Sequence, residues 1–131
     1  MTASDQTTVA SGWDQPDEFH VAQEPLAPPG VLLTVSGELD IATAPELRRR
    51  LTSVIEAGAR RLVIDLRPVS FMDSVAMAAI IHTRTQLANE GRIAIVLNRD
   101  SYTRIVFEIA GLPRCLDLFE TREEAIAHVS D

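Results

Sequence analysis

From Phe19 onward, apolar and polar positions fall into two alternating kinds of block. The runs "VLLTVSG", "RLVIDL" and "RIAIVL" are continuous, apolar and rich in β-branched residues, as in strands covered on both faces. Between them the apolar residues keep helical spacing. Leu47, Leu51, Val54 and Ile55 recur at i, i+4, i+7 and i+8. Thr43 and Glu46 have capping-box spacing ahead of that helix, Pro45 falls in its first turn, and Gly58 ends it. A second helix is predicted from about Ser74 to Glu90, stopped by Gly91. A third lies in "RDSYTRIVFEIAG", with Asp100 or Ser101 as cap and Gly111 as stop. "CLDLF" reads as a short strand, which would make Cys115 a small core residue. Thr121 and Glu124 form a second capping-box pair before the closing helix, "TREEAIAHV". At the front, "FHVAQE" alternates, meets the turn-rich "PLAPPG", and can pair with "VLLTVSG" as an edge hairpin.

The predicted order is β-β-α-β-α-β-α-β-α. Strands alternating with helices require crossover connections, so the fold class is α/β, a mixed but mostly parallel sheet with an N-terminal β-hairpin and about four helices. The crossovers should be right-handed. Ligands and partners of such sheets meet the ends of strands, where loops lead into helices. The segment "SFMDSVAM", at 70–77, lies at such a place. Residues 1–17 lack apolar periodicity and read as a disordered polar tail carrying a lone Trp13; residues 18–131 read as one folded domain.

Charge narrows the partners. The formal charge is −7, and all 12 basic residues are arginine. An acidic surface argues against nucleic acid and anionic membrane, and suits solubility or a protein partner with a basic face. No apolar stretch approaches the ~18 residues of a membrane helix, so direct membrane insertion is not expected. The N-terminus lacks the basic and apolar regions of a secretory signal, and a lone cysteine cannot close an internal disulfide. Both point to a cytoplasmic location.

The residue that raises a chemical question is Ser74, beside Asp73 where a helix begins. Either can serve as an N-cap. The same helix end favours anions, so a phosphate on Ser74 would be tolerated by the fold while altering what can pack there. Catalysis fits poorly. Ser74 lacks the G-x-S-x-G setting, and His82 lies ~12 Å of axial rise along the same helix. No glycine-rich phosphate loop and no metal-ligand spacing are present, so no enzyme activity and no cofactor are expected. Asp65, at the end of an apolar strand, reads as a carboxylate paired with an arginine or capping a backbone N–H.

Taken together, "VSGELDIATAPELRRRL", "RRLVIDLRPVSFMDS", "GRIAIVLNRD" and "RIVFEIAGLPRCLDLFETREEAIAHV" resemble a STAS domain, the sulfate-transporter and anti-sigma-factor-antagonist family. The resemblance covers about residues 18–129. It implies an anti-sigma factor antagonist that binds an anti-sigma factor with serine kinase activity and so releases a sigma factor. Phosphorylation of Ser74 by that kinase would end the complex, and a phosphatase would reset it. The docking surface implied by the family comprises Gly37, Glu38, Leu39 and Asp40 with Asp73, Ser74, Val75, Ala76 and Met77. Where the family pattern reads D-S-S/T-G-L, this chain reads "DSVAM". Val75 removes a second hydroxyl, and Ala76 adds a methyl group where a partner backbone could approach. The other role open to such a module is that of a scaffold or accessory subunit, as in a stressosome-like, transporter or lipid-transport assembly, without a Ser74 switch.

Overall fold

The computed structural model describes residues 18–130. Strands β1 (His20–Pro25) and β2 (Gly30–Leu39) form the antiparallel hairpin, with His20 opposite Ser36. Helix α1 (Ala44–Glu56) leads to β3 (Arg61–Asp65), then β4 (Val69–Met72) and α2 (Ser74–Leu87). Next come β5 (Arg92–Val96), α3 (Tyr102–Ile109), a single 3-10 turn (Leu112–Arg114), β6 (Asp117–Phe119) and α4 (Arg122–Ser130). The sheet runs β1-β2-β3-β5-β6, parallel from β2 onward.

Alternating strand residues divide the core in two. Leu33, Val35, Leu62, Ile64, Ile93 and Ile95 meet α1, α2 and α3 on one face. Leu32, Val63, Ala94 and Val96 meet Ala125 and Val129 of α4 on the other. Burial on both faces is what the continuous apolar runs require. In α1 the predicted stripe holds: Leu47, Leu51 and Val54 are buried, and Ile55 packs against them.

Four local readings change. β4 is a separate strand, absent from the predicted order; it pairs in parallel with the far end of β2. The capping box at Thr43 does not form: the Thr43 hydroxyl is turned to the preceding loop, where it accepts from the Asp40 N–H at 2.9 Å and donates to the Glu38 carbonyl at 2.7 Å. The second helix stops at Leu87, and Ala88 (φ 46°) makes the turn before Gly91. The last strand begins at Asp117, after the 3-10 turn, so Cys115 is exposed instead of buried. Other caps are as predicted: Ser101 accepts from the Arg104 N–H at 3.0 Å, and Thr121 from the Glu124 N–H at 3.2 Å. The tail and Trp13 lie outside the described residues.

Candidate functional site

The site grows from a bend in β2. Gly37 has φ 91°, a backbone region closed to most side chains. The pairing register shifts between Gly37 and Glu38, and from there β2 pairs with β4: Glu38 opposite Phe71, Leu39 opposite Met72. The Asp73 N–H donates to the Leu39 carbonyl at 3.0 Å, which closes the join. The G-E-L-D segment and the start of α2 are thereby side by side.

Each loop is then fixed by its own carboxylate. Asp40 accepts from the backbone N–H of Ala42 at 2.9 Å and of Thr43 at 3.1 Å, and its own N–H donates to Thr43 Oγ1 at 2.9 Å. This knot turns the chain into α1. Asp73, in extended conformation, accepts from the N–H groups of Val75 at 3.0 Å and Ala76 at 3.2 Å. The cap of α2 is thus Asp73. Ser74 is the first helical residue, exposed, with its hydroxyl outside the cap.

Burial sorts the residues named from sequence. Leu39 and Ala76 are wholly buried and Met77 is buried as well, so their side chains serve the core, while Gly37 contributes only buried backbone. The Ala76 methyl group therefore faces inward, away from any partner. Glu38, Asp40, Asp73, Ser74 and Val75 are left to form the surface. Of its apolar part, sequence reasoning named Val75 alone. Ile41 is 74% exposed, Tyr102 54%, and Val75 and Phe71 are also uncovered. The Phe71 and Tyr102 rings stack with centroids 6.2 Å apart and planes 14° from parallel. An exposed hydroxyl at a helix start, flanked by apolar side chains and three carboxylates, is suited to docking a protein and to carrying a charge that would disrupt the dock.

A second charged group lies at the ends of β3 and α4. Asp65 is 1% exposed, and its carboxylate accepts from Arg67 at 2.7 and 3.0 Å and from Arg122 Nε at 2.7 Å. Arg122 also donates to Thr34 Oγ1 at 2.8 Å. Burial by itself would raise the Asp65 pKa; the hydrogen bonds from Arg67 and Arg122 outweigh it and hold the group below its ordinary value. This is the arginine-paired carboxylate expected from sequence, and it ties α4 to the sheet. His128 Nε2 sits 2.8 Å from Asp117 Oδ2, and His82 is exposed on α2. Among the described residues no cluster of His, Cys, Asp and Glu could hold a metal ion, and no helix is long and apolar enough to cross a membrane.

This bent strand, capped helix and two-faced sheet define a known class: the chain belongs to the STAS domain family, whose model matches residues 22–125. Among curated proteins, it is 31% identical over 98 residues to the anti-sigma-F factor antagonist RsfB of Mycobacterium tuberculosis, covering 75% of this chain and 80% of that one. Among solved structures, it resembles an anti-sigma factor antagonist from Mycobacterium paratuberculosis with TM-score 0.80 and 29% identity, over 88% of this chain and 97% of the other. It also resembles the anti-sigma factor antagonist SpoIIAA in its unphosphorylated form, with TM-score 0.71 and 26% identity over 85% of this chain and 96% of that one. For the phosphorylated form of the Bacillus protein the values are 0.62 and 29%, over 84% and 99%.

Proposed function

We propose that this protein is an anti-sigma factor antagonist: it binds an anti-sigma factor that is itself a serine kinase, frees a sigma factor in the cytoplasm, and is released when Ser74 is phosphorylated. A phosphatase restores the binding form. The observation that carries this reading is the exposed Ser74 hydroxyl, held at the start of α2 by the Asp73 cap and flanked by Val75 and the G-E-L-D loop. The likeness to antagonists named for sigma-F, and to SpoIIAA solved with and without phosphate, supports it.

The physics favours a switch in binding over a switch in fold. A phosphoserine at the first helical position gains from the helix dipole and is repelled by Asp73, two small effects of opposite sign in water. A partner seated on Ile41 and Val75 would instead have to bury nearly two uncompensated charges. A loss of about 3 kcal/mol, roughly a hundredfold in affinity, is a conservative expectation.

The test is calorimetric titration of wild type, Ser74→Ala and Ser74→Asp against each purified anti-sigma kinase of the source organism. ATP labelling is run alongside. Wild type and Ser74→Ala should bind one kinase, Ser74→Asp should not, and only wild type should incorporate phosphate. Equal binding by Ser74→Asp, or labelling that survives Ser74→Ala, would defeat the proposal.

A further inference from the structure

Helix α3 carries an apolar stripe on its outer face. Tyr102, Ile105 and Ile109 recur there at i, i+3 and i+7, and Ile109 is 82% exposed. The opposite face, with Thr103 and Phe107, is buried. Phe71 of β4 stacks on Tyr102 and prolongs the stripe at its N-terminal end. Together the four side chains leave about 400 Å² of apolar surface in water.

We propose that this stripe is where a second copy of the chain docks, with the two α3 helices antiparallel about a two-fold axis. Three observations select that occupant. The first is charge. The surface around Ser74 carries Glu38, Asp40 and Asp73 and suits a basic partner. Helix α3 holds one arginine and one glutamate, so a second copy of a chain of formal charge −7 can approach it without meeting a face of its own sign. The second is symmetry. In an antiparallel pair centred between Ile105 and Val106, Tyr102 of one copy lies opposite Ile109 of the other, and Ile105 opposite Val106. The aromatic end of the stripe thus meets the aliphatic end, twice over.

The third is the flank. Arg104 and Glu108 lie along one edge of the stripe, joined at 3.2 Å within their own helix. An antiparallel two-fold keeps that edge on the same side in both copies and reverses its direction. Arg104 then stands within about 1.5 Å of axial rise of the other copy's Glu108. The two internal pairs stay closed and form a ring of four alternating charges. A parallel pair would put the two edges on opposite sides and make no such contact. The apolar stripe supplies the attraction, and the flank sets the orientation. Two such patches with their rims bury about 1,200 Å² in all, the lower limit for a specific interface, so half-association is expected at tens of micromolar. Ile41 and Val75 line a separate cleft between α1 and α2 and stay open in the dimer.

Sedimentation velocity tests this with no partner present, from low micromolar to several hundred micromolar. Reducing conditions keep exposed Cys115 from linking copies. Wild type should pass from monomer to dimer across that range. Ile109→Glu should weaken the dimer at least tenfold, with unchanged far-UV circular dichroism. Arg104→Glu and Glu108→Arg each place like charges along both flanks and should each weaken it several-fold. Mixed one to one they should restore it, although both variants stay net negative. The proposal is overturned if wild type stays monomeric, if Ile109→Glu associates like wild type, or if mixing restores nothing. A last arm rests on the docking role proposed above: Ile109→Glu should keep full affinity for the anti-sigma kinase. Loss of that affinity, with wild type monomeric alone, would assign the stripe to the kinase instead of a second copy.

Discussion

Asp73 and Ser74 are neighbours with separable jobs, and truncating each to alanine tells them apart. Asp73 holds two N–H groups of the first turn of α2, one of them half-buried. Losing such a cap costs about 1–2 kcal/mol, and losing a carboxylate at the positive end of the helix adds about 0.3–1 kcal/mol. Asp73→Ala should therefore cost about 2 kcal/mol, or about 8 °C in melting temperature for a domain of this size. Asp73→Asn keeps an acceptor oxygen and should cost less than about 1 kcal/mol. Ser74 is exposed and its hydroxyl is outside the cap, so Ser74→Ala should stay within about 0.5 kcal/mol of wild type. Urea denaturation followed by far-UV circular dichroism gives all three values, provided the slopes agree. If Ser74→Ala proved as costly as Asp73→Ala, the hydroxyl would be holding the helix. A phosphate could not then be added without disturbing the fold, and the argument for a binding switch would fail.

Other consequences are open to measurement. With the Asp65 pKa held below its ordinary value, the carboxylate stabilises the fold above about pH 4, and that contribution is lost as pH falls through the lowered folded-state value. Asp65→Asn should cost about 3 kcal/mol at neutral pH and flatten the acid side of the stability profile; an unchanged acid limb would show that other carboxylates set it. Exposed Cys115 should react with a thiol reagent in the native protein, whereas reaction only after unfolding would place it in the core.

The inner elements were legible because β3 and β5 are packed on both faces, and such strands leave continuous apolar runs. β4 left a weaker trace: in "VSFM" only Val69 and Met72 are buried, and its pairing depends on a bend in β2 that no local pattern reports. The true partners of Thr43 are hidden from the sequence for a similar reason. Glu38 and Asp40, from the preceding strand and loop, take up its hydroxyl before the helix can. "CLDLF" is mostly apolar and so predicts a strand from Cys115; the 3-10 turn begun at Leu112 delays the strand to Asp117. The position of Ser74 beside the G-E-L-D loop followed from the family resemblance. Ile41 and Tyr102 did not, since an apolar residue left in water has no period to mark it.

The register shift at Gly37 has a kinetic consequence. Beyond it, β2 is joined to β4 through two residue pairs, while its first half is locked between β1 and β3. Opening of the short ladder need not disturb the long one, so the two can exchange amide hydrogens with different free energies. Slow protection along Leu32–Thr34 with faster exchange at Glu38, Leu39 and Phe71 would show that the proposed docking edge breathes on a core that does not. Such an edge can yield to a partner at little cost to the rest of the molecule.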